Sequence, residues 1–306
     1  MIIQDSIIDL NCTNGAAVSL GKFDGLHLGH RRIISETVRY ARERGLCSAV
    51  LAIITPGVPR ILTKEEMAAV LSEMGVDVFL PVSFTEEFRD TPAETFLQKD
   101  LLGKLRMKAF FSGEDFRFGK GGLGDVRFLR AESGRKGFAF QVVPDYRLGG
   151  VTVKSSLIRE KLSKMDVRSA GEMLGRPYTV SGIVSHGKRL GSRIGYPTVN
   201  ILPSRDKFLP GFGVYAARLS VGGCGQEAGN NGFRGILDLG VKPTLEGQRD
   251  PAVEVHLFDF EGDLYGEEVT ASFLADVRPE MHFPSIEDLR EQIAKDIQNV
   301  QTLFKD

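Results

Sequence analysis

The chain has 306 residues, of which 42% are hydrophobic and 26% are charged. This composition is typical of a soluble globular protein, and the length fits two domains better than one. The 39 Lys and Arg residues nearly balance the 40 Asp and Glu residues. The overall charge therefore does not indicate binding to nucleic acid or to a membrane surface. Since no run of about 18 apolar residues and no leader-like start occurs, we expect a cytoplasmic protein that acts on small molecules.

The first half of the chain alternates strands with helices. Helical spacing is seen from Ile33 to Ala41, before Gly45, and again over 63–75 and 91–105, where Thr91 and Glu94 suggest a capping box. This alternation predicts a parallel, doubly wound α/β sheet whose ligands lie beyond the carboxyl ends of its strands. The predicted strands are 16–20, 48–54, 76–82, 107–112 and 138–144.

The second half changes character after a helical stretch over 154–175. Short runs rich in Val, Ile and Phe are separated by Gly and Pro, a pattern that predicts an antiparallel β-barrel. A closing helix over 285–304 has one apolar face and Ser285 as its N-cap. We place the domain boundary near Pro177, which gives domains 1–177 and 178–306.

The three cysteines lie far apart in the sequence. Cys12, Cys47 and Cys224 lack the spacing of a metal site. We expect reduced, partly buried thiols, as in a cytoplasmic protein.

Two of the five histidines, His27 and His30, follow the first predicted strand in the stretch GKFDGLHLGH (21–30). Its glycines allow a tight turn, and the free N–H groups at the start of the next helix favour a phosphate there. Imidazoles three residues apart face the same way, so this pair could hold a phosphate and stabilise charge developing on it. A zinc site would need a third ligand nearby. The alternative is a pair of surface histidines at a helix cap.

The His-x-Gly-His pattern resembles the nucleotidyltransferase superfamily. The wider stretch GKFDGLHLGH resembles the prokaryotic bifunctional riboflavin kinase/FMN adenylyltransferases, also called FAD synthetases. GEDFRFGKGGLGD (113–125) is similar to their flavin and nucleotide loop, and KSSLIR (154–159) is similar to their Ser-Ser-Thr-x-Ile-Arg signature. The resemblance implies that ATP for adenylyl transfer is bound by Phe23, Asp24, Gly25, His27, His30, Ser155, Ser156 and Arg159, and that Gly113, Asp115 and Phe118 belong to the flavin loop.

One stretch departs from the family pattern. After the second strand the family has Phe-x-Pro-His-Pro and a longer loop, whereas this chain has IITPGVPRILTKEE (53–66) without a histidine. The departure supports the alternative of a riboflavin kinase with an impaired adenylyltransferase domain, whereas the intact pair His27 and His30 argues against it.

A glycine-rich stretch opens the second half, GIVSHGKRLGSRIGYPTVNI (182–201). Its glycines let backbone N–H groups approach phosphates, and Thr198 and Asn200 offer neutral oxygens to Mg²⁺ from one face of an extended chain. The stretch resembles the flavokinase loop that leads into Gly-Phe-Pro-Thr-Ala-Asn. The resemblance implies an ATP site at Gly187, Gly191, Gly195, Pro197, Thr198 and Asn200, with Thr198 and Asn200 as metal ligands.

Further matches downstream place the family's general base at Glu254 and the flavin end of its kinase site at Arg278 and Glu280. Glu254 could instead be a solvent-facing strand residue, since apolar residues alternate with it. The resemblance implies phosphorylation of riboflavin to FMN by MgATP, followed by transfer of AMP to FMN to give FAD. A different nucleotidyltransferase and a non-catalytic flavin-binding regulator are also compatible with these motifs. We expect small-molecule partners, with no nucleic acid and no membrane, and an oligomer is allowed.

Overall fold

The computed structural model describes residues 1–4, 7, 12–185, 195–222, 232–243 and 249–304. The chain forms two compact units, of which the first comprises Met1–Val58 and Met67–Lys154 and the second comprises Pro59–Glu66 and Ser155–Asp306. The sequence boundary near Pro177 therefore falls inside the second unit, and the limits 1–177 and 178–306 stay a prediction. Within the described ranges, no helix is long and apolar enough to cross a membrane.

The first unit is built around a six-stranded parallel sheet with the strand order β1-β4-β3-β2-β5-β8. Its strands are β1 (Ile2–Ile3), β2 (Ala16–Gly21), β3 (Cys47–Ile54), β4 (Val78–Ser83), β5 (Met107–Ser112) and β8 (Ala139–Val142). Short two-stranded pairs are formed by β6 (Arg117–Phe118) with β7 (Gly124–Asp125) and by β9 (Arg147–Leu148) with β10 (Val151–Thr152). The predicted parallel α/β architecture is confirmed.

Helices connect these strands. They are α1 (Leu28–Arg44), α2 (Lys64–Glu73), α3 (Glu86–Asp90), α4 (Ala93–Thr95), which continues as a π-helix over Phe96–Lys104, and α5 (Val126–Lys136). The predicted capping box at Thr91 and Glu94 is wrong. Because α3 ends at this point, the Thr91 hydroxyl donates to the backbone oxygen of Glu87, and Glu94 accepts a hydrogen bond from Gln98 instead.

The central strand β2 determines where a ligand can approach the sheet. Ala16, Ala17 and Val18 are fully buried, as expected of a strand covered on both faces. Strand β3 pairs with one edge of β2, and β5 pairs with the other. The strand order therefore reverses at β2, and the crevice at its carboxyl end is the usual ligand site of such sheets.

A disulfide joins Cys12 to Cys47, so the expectation of reduced thiols is wrong for this pair. Cys12 precedes β2 by a short turn and Cys47 begins the neighbouring strand β3, which brings their Cα atoms to 6.0 Å. Cys224 lies outside the described residues.

The second unit contains a closed antiparallel barrel with the strand order β11-β12-β15-β14-β13-β16. Tyr178, Tyr215 and Phe273 fill its interior with edge-to-face ring contacts. Ser285 caps the closing helix as predicted, because its hydroxyl accepts from the backbone N–H of Asp288. The barrel and its helix confirm the second predicted architecture. The elements are α6 (Ser155–Ser163), α7 (Val167–Leu174), β11 (Tyr178–Ser185), β12 (Val199–Pro203), β13 (Gly213–Val221), β14 (Phe233–Pro243), β15 (Arg249–Leu257), β16 (Glu268–Pro279) and α8 (Ile286–Leu303).

The segment Pro59–Glu66 belongs to the second unit although it follows β3 in the chain. The ammonium of Lys207 lies 2.5 Å from the Glu66 carboxylate, and both side chains are almost completely buried. The same ammonium donates to the backbone oxygen of Ile61 and lies 4.7 Å from the ring centre of Tyr178. The second Glu66 oxygen accepts from the backbone N–H of Ser181. This buried network fastens the segment to the barrel.

Candidate active sites

The turn after β2 positions the predicted histidine pair at the carboxyl end of the central strand. Gly25 has a φ of 85°, and Phe23 and Leu26 also have positive φ values of 46° and 44°. Left-handed backbone at two residues with large side chains is strained, and such strain is concentrated at functional sites. The Phe23 and Leu26 side chains and Asp24 are buried, so the turn is fixed by the core beneath it.

His27 is the N-cap of α1, and its Nδ1 accepts from the backbone N–H of His30 at 3.4 Å. The two imidazoles stack with ring centres 3.6 Å apart, and Phe23 contacts His30 edge-on at 5.2 Å. The His27 ring lies directly over Gly29, where a Cβ atom would come within 3.1 Å of it. Glycine at this position therefore lets the two histidines share one face.

The electrostatics of the pair suit an anion. Burial, and secondarily the charge of His27, holds the pKa of His30 well below its usual range, so the ring is neutral near pH 7. The first turn of α1 carries no acidic residue, which leaves its positive end uncompensated. Nδ1 of His30 is buried and has no hydrogen-bond partner within the described part of the chain. A buried orphan nitrogen beside a helix N-terminus is well placed to contact a phosphate.

The predicted flavin loop follows β5, the strand next to β2. A Cβ at Gly113 would lie 3.7 Å from Ile33 of α1 and from the Asp115 carboxylate. Gly113 and Asp115 are therefore at the histidine edge of the sheet. Phe118 differs from them, because its ring is buried against Phe96, Phe116 and Phe128 in the hydrophobic core. Phe118 holds the loop in place, and a direct role in binding stays a prediction.

Ser155, Ser156 and Arg159 lie in the second unit, at the start of α6. The Arg159 guanidinium donates to the backbone oxygen of Pro59 at 2.6 Å and lies 4.6 Å from the ring centre of Phe208. This arginine therefore contacts the segment that departs from the family pattern. Its role toward ATP phosphates stays a prediction.

A polar cluster on the barrel brings together the main residues predicted for the kinase site. Asn200 of β12 is paired in register with Glu254 of β15. The Thr198 hydroxyl points to a Glu254 carboxylate oxygen at 3.4 Å, and the Asn200 amide group donates to the backbone oxygen of Thr198 at 3.4 Å. Val253 and Val255 face the barrel interior, so Glu254 faces outward and is partly exposed. Apolar residues therefore alternate with Glu254 along β15, as the sequence indicates. The Glu254 carboxylate nevertheless lies beside the polar side chains of Thr198 and Asn200.

The predicted phosphate loop is described only at its end. Gly187 and Gly191 lie outside the described residues. Gly195 has a φ of 93°, a left-handed conformation suited to glycine. The backbone oxygen of Pro197 lies 2.8 Å from Nδ1 of His256. His256 was not among the predicted residues, although its position two residues after Glu254 on the same strand face was a usable signal.

The predicted flavin end lies where β16 leaves the barrel. The Arg278 guanidinium donates to the buried Asp296 carboxylate at 2.8 Å and to the backbone oxygen of Pro279. Glu280 approaches Gly240 so closely that a Cβ there would meet its carboxylate at 2.6 Å. Asp296 lies on α8 and was missed, because a carboxylate on an amphipathic helix carries no sequence signal for its partner.

The barrel cluster offers the oxygen ligands that Mg²⁺ prefers. The Asn200 amide oxygen on β12 and the Glu254 carboxylate on β15 are hard donors on neighbouring strands, and the Thr198 hydroxyl, just before β12, is a third. The donor chemistry of these residues therefore fits a magnesium ion that also binds substrate phosphates.

Two family models match the chain, one on each half. The FAD synthetase model matches residues 9–157, and the riboflavin kinase model matches residues 174–304. Fold and sites thus define a two-domain flavin-nucleotide transferase. Among curated proteins, the bifunctional riboflavin kinase/FMN adenylyltransferase of Haemophilus influenzae is 34% identical, with 95% of this chain and 94% of the relative covered. This chain belongs to the bifunctional riboflavin kinase/FMN adenylyltransferase family.

Other similar proteins also match this chain over nearly its whole length. The Listeria monocytogenes protein of the same name is 30% identical and covers 99% of this chain, with 96% of its own length matched. A crystal structure from Streptococcus pneumoniae, titled a macrolide-efflux protein, superposes with a TM-score of 0.84 at 25% identity. That superposition covers 98% of this chain and 99% of the other. It supports the fold of the chain over its whole length.

Proposed function

We propose that the second unit phosphorylates riboflavin to FMN with ATP, and that the first unit transfers AMP from ATP to FMN to give FAD and pyrophosphate. The observation that carries this assignment is the pair of family matches, one over each half in this order. The curated relatives carry both activities in their names. No comparison favours a chain with the kinase activity alone.

In the kinase step, Glu254 acts as the general base. Its carboxylate accepts the proton of the riboflavin 5′-hydroxyl while that oxygen attacks the γ-phosphorus of ATP, and the bond to the β–γ bridging oxygen breaks to release ADP. The pairing of Glu254 with Asn200 across β12 and β15 supports this role, because it sets the base beside the proposed phosphate ligands. His256 positions the loop through the Pro197 backbone.

Thr198 and Asn200 would hold Mg²⁺, with the Glu254 carboxylate beside them. When bound, the ion neutralises negative charge on the ATP phosphates. The remaining loop glycines, Gly187, Gly191 and Gly195, would offer backbone N–H groups to those phosphates. Arg278 and Glu280 would bound the flavin, with Asp296 positioning Arg278.

In the adenylyl step, His27 and His30 bind the α-phosphate of ATP. A phosphate oxygen of FMN attacks the α-phosphorus, the bond to the α–β bridging oxygen breaks, and pyrophosphate leaves. The two imidazoles stack, the His30 ring is neutral, and the pair donates hydrogen bonds to the charge that develops on the α-phosphate oxygens. Phe23, Asp24 and Gly25 shape the turn, and Gly113 and Asp115 lie at the FMN side. A phosphate-binding role for Ser155, Ser156 and Arg159 is proposed from the family signature in KSSLIR alone. Since both steps use ATP, we place the enzyme in the cytoplasm, with small molecules as its partners.

The test is a time course with riboflavin, ATP and Mg²⁺ in which the flavins are separated by chromatography. FMN should appear first and FAD later. FMN that accumulates without FAD would support a chain in which only the kinase is active. If riboflavin stays unaltered, the proposal is wrong and the flavin-binding regulator is favoured.

A further inference from the structure

A pocket of about 470 Å³ opens on the outer face of the barrel, beside the last turn of α8. Its volume is in the range of small-molecule binding sites. None of its residues belongs to the proposed kinase or adenylyltransferase site. It is lined by Phe233, Arg234, Phe258, Asp259, Gln301 and Phe304.

The pocket exists because α8 ends before it covers the whole barrel face. On β14, Ile236 and Arg234 are two residues apart and share the outer face. Val300 of α8 packs over Ile236 in a buried apolar cluster, but the helix ends at Leu303. Arg234 lies further along the strand and is exposed. The apolar face therefore ends at a charged residue beside an open space.

Two arginines meet at this end. Arg218 of β13 is directly opposite Arg234 of β14, and like charges in that arrangement destabilise a sheet. Both guanidinium carbons lie near the Phe304 ring, at 5.6 Å for Arg218 and 5.4 Å for Arg234. The last turn of α8 has no basic residue of its own, so the arginines complement the negative end of its dipole.

The interaction of Arg234 with the helix dipole leaves the N–H donors of its guanidinium group available. Within the described residues, its guanidinium makes no ion pair and no hydrogen bond, and Phe304 is its side-chain contact. An exposed guanidinium with all its donors available, next to a second arginine, is suited to a phosphate or carboxylate. The charges of the pocket therefore point to an anionic ligand.

The aromatic residues that line the rest of the pocket favour a ligand with an aromatic ring. Phe258 and Phe304 are in edge-to-face contact at 6.4 Å, and the backbone N–H of Phe258 donates to the backbone oxygen of Arg234. Asp259 has a φ of 53°, a left-handed conformation that aspartate tolerates, just after the end of β15. Its carboxylate can only accept hydrogen bonds, so it selects a ligand with amino or hydroxyl donors.

We propose that this pocket binds a nucleotide, with its aromatic ring against Phe258 and Phe304, its phosphate at Arg234 and an N–H or O–H donor at Asp259. The site is separate from the kinase site. Glu254 and Phe258 share the outer face of β15 and its extension but are four residues apart, which is about 13 Å along the strand. The ligand class has two sources in this enzyme's chemistry, adenine nucleotides and flavin nucleotides.

The chain contains no tryptophan, so Phe304→Trp introduces a single reporter in the pocket. The full-length variant is titrated with ADP and, separately, with FMN while tryptophan emission is followed. The proposal expects a saturable change with at least one of them. A response to ADP alone identifies an adenine nucleotide, and a response to FMN alone identifies a flavin nucleotide.

The control compares two arginines in the reporter background. Arg234→Gln should weaken the affinity about tenfold or more, the usual effect of losing a charged hydrogen bond. Arg290→Gln, an exposed arginine nearer the start of α8, should leave it unchanged. If Phe304→Trp does not fold, Gln301→Trp serves as the reporter. No change in emission with either probe overturns the proposal, as does equal affinity in the Arg234→Gln variant. A raised KM for ATP in Arg234→Gln without a separate saturable signal also overturns it, because the pocket would then belong to the kinase site.

Discussion

Asn200 and Glu254 face each other across two antiparallel strands of the barrel. Neighbouring pairs on either side, Val199 with Val255 and Ile201 with Val253, hold the register, and the side chains of Ile201, Val253 and Val255 are buried. A slip by one residue would turn Glu254 into the apolar interior. The core of the barrel therefore fixes the distance between the proposed base and the proposed phosphate ligand.

Glu254→Gln should abolish the kinase step while leaving the barrel folded. The amide has the shape of the carboxylate but cannot accept the proton of the 5′-hydroxyl, so the rate of FMN formation should fall by about a hundredfold or more. The rate is measured by chromatography with riboflavin and ATP. FAD formation from supplied FMN should be unchanged, and Glu261→Gln, an exposed loop substitution, should affect neither step. Normal FMN formation by Glu254→Gln would contradict the assignment.

His27→Asn should separate helix capping from adenylyl transfer. Asparagine is a good N-cap, so α1 should remain stable. The imidazole contact with phosphate is lost, and FAD formation from FMN should fall by about a hundredfold, as for the loss of one oxyanion donor. Arg39→Gln, which removes only two exposed ion pairs on the same helix, those with Glu36 and Glu43, is the control. An equal loss in both variants would assign the effect to the helix and not to the imidazole.

The depressed pKa of His30 predicts how stability depends on pH. In the unfolded chain the ring takes up a proton as the pH falls below about 6.5, whereas the buried ring in the folded chain stays neutral. The contribution of the neutral His30 ring to the free energy of unfolding is therefore fully present above that pH. This contribution is lost as the pH falls below it. Between about pH 7.5 and about pH 5.5, the free energy of unfolding of His30→Asn should fall less than that of the unmodified chain. Denaturant titrations at the two pH values measure this, and parallel losses in both proteins would refute the prediction.

Glu66→Gln should destabilise the second unit, because it leaves the Lys207 ammonium buried without its charge partner. Such a loss costs about 3 kcal/mol, or about 10 °C in the midpoint of thermal unfolding. The double variant Glu66→Gln with Lys207→Met should recover part of this loss, since no buried charge remains. Lys164→Met, in an exposed pair with Glu160, should change the midpoint very little. A double variant that is less stable than Glu66→Gln alone would contradict this account.

Local patterns in the sequence were sufficient for the two architectures and for much of the sites. The apolar run at β2 and the glycines before His27 predict a turn at the carboxyl end of a strand, and both are present. The alternation around Glu254 likewise predicts an outward-facing residue. Each of these features depends on neighbours within a few positions, where side-chain period and turn chemistry are decisive.

The contacts that sequence reasoning missed join residues far apart in the chain. Glu66 was predicted inside a helix, and only the fold shows that Lys207 neutralises it. Asp296 and Arg278 are joined in the same way by the packing of α8 on the barrel. The disulfide was missed because neighbouring parallel strands bring Cys12 and Cys47 together across a whole helix. No pattern in a single sequence carries such pairings.

The route of Pro59–Glu66 has a consequence for dividing the chain. A fragment that begins at Ser155 would keep every strand of the barrel but would lack this segment, which lies far upstream. Such a fragment would expose the surface that Arg60 and Ile61 now cover and would leave the Lys207 ammonium without Glu66. Dividing the chain between the two catalytic halves therefore removes a structural component of the kinase half. Adding residues 59–66 as a separate peptide should restore the stability that the fragment has lost.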